Sequence, residues 1–162
     1  MGEKRICAPA AVFVYKRIDY AERTLCALRK NFLALQTDLY IFSDGPKNEK
    51  DQPLVAQVQD FVRSFAAQSG FRSVHVNLSS RNQGLAFSII SGVSELLDKY
   101  GRVIVLEDDL LVSRDFLIYM NDALDYYEKD SRIWSVSGYA PMLKGLRRWD
   151  QDVFFFYRAS SW

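Results

Sequence analysis

The sequence lacks the residues and patterns that mark several functional classes of protein. It contains two cysteines and one histidine in 162 residues, so neither a disulfide framework nor a Cys/His zinc cluster is expected. The 21 Lys and Arg residues almost balance the 20 Asp and Glu residues, which argues against a nucleic-acid partner. No apolar run approaches the ~18 residues of a membrane span, and no signal peptide is evident. The free thiols Cys7 and Cys26 favour a cytoplasmic location.

The sequence also lacks the motifs of several common catalytic designs. It has no Ser/His or Cys/His arrangement for a nucleophile and no glycine-rich Walker loop for a phosphate. His75 lies inside a predicted strand, where a structural role is the more frequent one. The catalytic strategies that remain possible are acid–base chemistry by carboxylates, metal-ion catalysis and stabilisation by fixed charges.

Apolar runs of strand length alternate with amphipathic helical patterns along the chain. Strands are predicted at 10–15, 39–43, 73–78, 103–106, 133–137 and 153–157, and helices after a cap at Asp19 and at 54–65, 85–100 and 115–127. This order predicts an α/β fold, a three-layer α/β/α Rossmann-like architecture with a mostly parallel sheet. We expect residues 1–162 to form one domain.

Polar residues follow almost every predicted strand. They are Lys16 and Arg17, Asp44, Arg81 with Asn82, and the triplet Glu107-Asp108-Asp109. Open parallel sheets bind ligands outside the carboxyl ends of their strands. We therefore expect these segments to converge on one crevice.

The acidic triplet follows a fully apolar strand, and three carboxylates there require a neutralising cation or raised pKa values. Alternation along an extended chain predicts that Glu107 and Asp109 point one way and Asp108 the other. Carboxylate oxygens suit Mg²⁺ or Mn²⁺, which also bind diphosphates. A solvated acidic loop that caps the next helix is the alternative.

The other strand-end residues each have two interpretations. Asp44 could form a turn or accept a hydrogen bond from a nucleobase imide. Arg17 could be a surface cation or a phosphate clamp. The segment from Arg81 to Leu85 could be an ordinary helix start or could bind an anion there.

Four motifs in this order resemble the nucleotide-sugar glycosyltransferases of GT-A fold, including the bacterial family 2 enzymes. They are Val14-Tyr-Lys-Arg17, Phe42-Ser-Asp-Gly45, Arg81-Asn-Gln-Gly-Leu85 and the segment from Val105 to Met120. The acidic segment is similar to that of N-acetylglucosaminyltransferase I, where a Glu-Asp-Asp triplet replaces the usual Asp-X-Asp. The resemblance covers the chain from Ala10 to its end.

The resemblance implies a Mn²⁺- or Mg²⁺-dependent, inverting transfer from a nucleotide sugar, in particular a UDP-sugar, to a glycan or lipid-linked acceptor. It implies that Asp109 ligates the metal and that Glu107 and Asp108 hold the donor sugar and ribose. Asp44 would bind the uracil and Arg17 the diphosphate, with Arg81, Asn82 and Leu85 completing the nucleotide-sugar site.

The chain departs from this family in its length. Such enzymes are longer, and their general base lies beyond a segment like the one at which this sequence ends, so we expect a truncated nucleotide-binding part with weak or no transferase activity. Asp150 and Asp152 are weak substitutes for that base. An interrupted sheet would also leave an exposed edge, which favours assembly with another polypeptide or with a copy of itself.

Three other functions are compatible with some of these motifs. A signalling receiver domain carries a similar acidic turn, but after its first strand rather than its fourth. A metal-dependent phosphotransferase lacks its Lys and Ser/Thr partners here. A non-catalytic module that binds a sugar nucleotide and a divalent metal would share every motif, and it remains the main alternative.

Overall fold

The computed structural model describes residues 7–68 and 70–139. Within them strands and helices alternate as predicted. The elements are β1 (Ala10–Val14), α1 (Ile18–Arg29), β2 (Asp38–Ser43), α2 (Gln52–Gln68), β3 (Ser73–Leu78), α3 (Leu85–Tyr100), β4 (Ile104–Glu107) and α4 (Phe116–Tyr127), with a 3-10 turn at Ala34–Gln36 before β2. The predicted strand at 153–157 and the acids Asp150 and Asp152 lie outside the described residues.

The strands form one sheet in the order β3-β2-β1-β4, and every pairing is parallel. β1 lies inside the sheet and all of its residues are buried, as its continuous apolar run predicted. Residues of α1, α2 and α4 share a core with one sheet face, whereas α3 packs on the other. The predicted three-layer Rossmann-like α/β fold is therefore confirmed.

Side-chain alternation along β1 divides the core between the two faces. Val12 packs with Leu25 of α1 on one side, and Phe13 packs with Leu96 of α3 on the other. Full burial of each such side chain contributes about 1.5–3 kcal/mol. α3 approaches the sheet closely at Gly92, where an added Cβ would lie 3.0 Å from the ring of Phe42. None of the described helices has the length and apolar character needed to cross a bilayer.

The predicted cap at Asp19 is wrong. α1 begins at Ile18, with Arg17 in the cap position and no side-chain hydrogen bond there. Asp19 lies in the first turn, where its negative charge still suits the positive end of the helix dipole. The apolar spacing predicted the helix correctly, but polar residues on both sides of the start left its boundary open.

The predicted strand at 133–137 is also wrong, because the segment has no strand assignment. Trp134 is 94% exposed, and the carbonyl of Ser137 accepts a hydrogen bond from the hydroxyl of Tyr119 in α4 at 3.3 Å. A strand needs a neighbouring strand to pair its backbone groups. Alternating residues alone do not supply that partner.

Candidate functional site

The carboxyl ends of the four strands meet at one edge of the sheet. Val14 is level with Ser43, Ser43 with Leu78, and Phe13 with Glu107. From β1 the chain crosses to β2 on one side, whereas β4 lies on the other side of β1. The crevice between β1 and β4 is thus the topological switch point, where open α/β sheets bind their ligands.

An ion-pair cluster lies at this switch point. The Nη2 atom of Arg17, just after β1, donates hydrogen bonds to the carboxylate of Asp108 and, at 3.0 Å, to Oδ2 of Asp109. Asp108 is 4% exposed. Hydrogen bonding to Asp108 raises the pKa of Arg17 above its ordinary value, with a smaller contribution from Asp109. The chain itself therefore provides a cation for two of the three predicted acids.

The prediction that Asp108 points away from Glu107 and Asp109 is wrong for the aspartates, which share one guanidinium nitrogen. The reason is that β4 ends at Glu107 and a turn follows at 108–109, so strand alternation no longer applies. This turn is anchored by Thr24 of α1, whose buried hydroxyl donates to the carbonyl of Asp108 at 2.8 Å.

Glu107 differs from the two aspartates. Its side chain is half-buried and makes no hydrogen bond or ion pair with a described residue. Burial raises the pKa of its carboxyl above the ordinary value, and the charges of Asp109 and Asp108 raise it further. A carboxylate held in an unfavourable environment at a sheet edge is typical of functional sites.

Asp44, at the end of β2, organises the loop that precedes α3. Its Oδ1 accepts hydrogen bonds from the backbone N–H groups of Gly45 and Gln83 at 2.8 and 2.9 Å. Its Oδ2 accepts from the N–H of Gly84 at 2.9 Å and from the side-chain amide of Asn82 at 3.1 Å. A carboxylate has about four acceptor positions, so binding a nucleobase at Asp44 would require one of these donors to leave.

The two remaining predicted residues do not converge on the acids through their side chains. The backbone of Arg81 packs against Gly45, where an added Cβ would meet it at 2.5–2.8 Å. The Arg81 side chain is exposed and makes no hydrogen bond or ion pair with a described residue. Leu85 is the first residue of α3 and is 57% exposed. Both follow the carboxyl end of β3, which is separated from β1 by β2.

Sequence reasoning missed a second polar cluster, centred on Asp51. The hydroxyl of Tyr15 and the ammonium of Lys16 donate to its carboxylate at 2.9 and 2.8 Å. Its hydrogen bond with Lys16 lowers the pKa of Asp51 below the ordinary value. These bonds tie the β1–α1 loop, which carries Arg17, to the start of α2. Asp51 had no apolar or motif context to mark it, whereas Thr24 could have been found as a polar residue on the buried face of α1.

A cavity of about 260 Å³ lies beside Asp44 at the same edge. Its lining includes Phe42, Asn77, Ser91 and Glu95 but no Lys or Arg among the described residues. With two carboxylates, several neutral polar groups and one aromatic ring, it suits a polar group that donates hydrogen bonds rather than a phosphate.

Among residues 7–68 and 70–139, no three His, Cys, Asp or Glu side chains are arranged to hold a metal ion. The turn nevertheless brings two carboxylates together around a cation, and one or two carboxylates plus substrate phosphates are the usual ligands of Mg²⁺. The donor set of Asp108 and Asp109 therefore fits a hard divalent ion that binds together with phosphates. A scan of protein-family models and a search of curated proteins both gave no match to this chain.

Proposed function

We propose that this chain is the donor-binding domain of a metal-dependent glycosyltransferase that uses a nucleotide sugar. The observation that carries this proposal is the cluster of Arg17 with Asp108 and Asp109 at the topological switch point. A guanidinium that can bind phosphate and carboxylates that can bind a hard cation lie together there. A nucleoside diphosphate with a divalent ion requires both.

Each residue of the cluster has its own role in donor binding. Arg17 binds the diphosphate of the donor, and Asp109, the more exposed of the two aspartates at 39%, ligates Mn²⁺ or Mg²⁺. Asp108 and Glu107 hold the ribose and the donor sugar. When bound, the ion stabilises the negative charge that develops on the leaving diphosphate. Thr24 holds the turn after β4 in place, and Asp51 holds the loop between β1 and α1.

Several finer features belong to the same proposal. The donor is a UDP-sugar, the acceptor is a hydroxyl of a glycan or a lipid-linked glycan, and the anomeric centre is inverted. The cavity beside Asp44 accommodates the nucleoside. We propose a cytoplasmic location, which is supported by the free thiols of Cys7 and Cys26.

Calorimetric titration with UDP, GDP and UDP-N-acetylglucosamine, each with and without Mn²⁺, tests this function. We expect a UDP ligand to bind in Mn²⁺ and Asp109→Ala to weaken that binding by about tenfold or more. The matched control is Asp60→Ala, which removes an exposed aspartate from α2 and should bind as the wild type does. Absence of nucleotide binding in Mn²⁺, or wild-type affinity in Asp109→Ala, would contradict the proposal.

A second measurement separates a transferase from a module that only binds the donor. Release of free sugar from the UDP-sugar in Mn²⁺, or transfer to an added acceptor, is expected of the enzyme. Tight donor binding with neither reaction, in this chain and in a C-terminally extended one, would assign the binding module instead.

A further inference from the structure

One atom of Arg17 occupies the position between the two aspartates. Its Nη2 atom bonds to Asp108 and lies 3.0 Å from Oδ2 of Asp109. The guanidinium also lies over the ring of Tyr20, with 4.8 Å between its central carbon and the ring centroid. A metal ion that uses both carboxylates therefore has to enter a position that already contains a cation.

The Arg17 guanidinium weakens the attraction of the acid pair for a free metal ion. Asp108 and Asp109 together carry two negative charges, and Arg17 neutralises one of them. A divalent ion bound there alone would be repelled by the guanidinium at close range, or would have to break both of its ion pairs. The Arg17 side chain is 46% exposed, so it can rotate toward solvent, but its charge then loses both partners.

A diphosphate changes this balance because it offers Arg17 new acceptors. Guanidinium groups form strong, often bidentate hydrogen bonds to phosphate oxygens. Once Arg17 turns from the aspartates to the diphosphate, both carboxylates become available to the ion, and the diphosphate adds oxygen ligands of its own. The two ligands therefore assist each other, and by linkage the assistance is reciprocal.

We infer that Arg17 is a resident counter-cation of the acid pair, so that the site accepts a divalent metal and a diphosphate as a set and discriminates against either one alone. This inference rests on the proposed function, because it concerns the same site. It assigns to the crevice the metal–diphosphate complex as its ligand rather than the free ion.

The first test removes the resident charge. Binding of Mn²⁺ alone, measured by electron paramagnetic resonance on the full chain, is expected to be about tenfold tighter or more in Arg17→Met than in the wild type. The same variant should bind UDP in the presence of Mn²⁺ about tenfold more weakly. Arg63→Met is the matched control, because Arg63 also pairs with an aspartate but lies exposed on α2; it should change neither affinity. If Arg17→Met is unfolded, Arg17→Gln removes the charge but keeps an N–H donor for the carboxylates, and the same gain for Mn²⁺ is expected.

The second test weakens the hold of the acids on Arg17. In Asp109→Asn, UDP without metal is expected to bind about twofold to fivefold tighter than in the wild type, as the loss of one exposed ion pair suggests. With Mn²⁺ the order reverses and the variant binds UDP more weakly. No gain in Mn²⁺ affinity on removal of the Arg17 charge, or no gain in metal-free UDP affinity in Asp109→Asn, overturns the inference. If UDP binds in Mn²⁺ while these gains are absent, only this inference fails; if UDP does not bind in Mn²⁺ at all, the proposed function fails with it.

Discussion

Arg72 neutralises a buried carboxylate at the edge of the sheet opposite the candidate site. Its Nε donates to Oδ1 of Asp38 at 2.7 Å and its Nη2 donates to Oδ2, while the hydroxyl of Ser73 adds a bond of 2.7 Å. Asp38 is 7% exposed, so Arg72→Met would leave a buried charge without a cation. The variant keeps most of the apolar stem of Arg72 and tests the ion pair itself.

The expected loss of folding free energy follows from the lowered pKa of Asp38. The pKa of Asp38 falls from its ordinary 3.8 to about 2, mainly because of the hydrogen bond from Arg72, with a further contribution from the hydrogen bond of Ser73. At about 1.4 kcal/mol per pKa unit this corresponds to about 2 kcal/mol of folding free energy, an upper figure because solvent screens the half-exposed Arg72. Because the folded pKa is depressed, this stability is present above pH 3.8 and is lost as pH falls toward 2.

Urea unfolding of Arg72→Met and of the wild type at a series of pH values measures this effect. We expect the variant to be less stable by about 2 kcal/mol at neutral pH, with the gap closing as pH falls and Asp38 becomes protonated in both proteins. Arg63→Met, which removes an exposed ion pair with Asp60, should differ little from the wild type. A gap that is absent at neutral pH, or that stays constant down to the pKa of Asp38, would refute the reasoning.

Three further changes test the candidate site through stability. Thr24→Val leaves the buried carbonyl of Asp108 without its donor and should cost about 1–3 kcal/mol in urea unfolding, with Thr24→Ser restoring most of it. Gly45→Ala places a Cβ within 2.5–2.8 Å of the Arg81 backbone and should lower stability by about 1–3 kcal/mol and hydrogen-exchange protection around residue 83. Glu107→Gln should stabilise the protein at neutral pH: the raised pKa of Glu107 means that its charged form opposes folding, so the gain should vanish as pH falls below the ordinary pKa of a glutamate.

Much of the fold could be predicted because its signals are local. The all-apolar run of β1 and the apolar face of α2, with Val55, Val58 and Val62 buried, predict their elements without knowledge of the rest of the chain. The parallel sheet follows from the alternation of strands and helices. The segment at 133–137 was predicted incorrectly because strand formation depends on a partner, which is not a local property.

The candidate site was predictable in outline but not in its contacts. The rule that parallel strand ends carry the ligand site located Arg17, Asp44 and the acids correctly at one edge of the sheet. The pairing of Arg17 with Asp108 joins residues 91 positions apart, and nothing in either segment specifies the other. The Asp51 cluster was missed for the same reason.

The acidic turn shows which part of its charge compensation could be predicted from the sequence. Three adjacent carboxylates at the end of a buried strand require compensation, and the sequence alone suggested a metal ion as the compensating charge. In the folded chain Arg17 compensates Asp108 and Asp109, while Glu107 remains unpaired among the described residues, with a raised pKa. A site built only for stability would pair all three charges or expose them to water, because a carboxylate that is partly buried without a partner costs free energy. The partial compensation leaves one acid and a partly exposed guanidinium available at the switch point, which is the arrangement that the proposed metal–diphosphate complex would use.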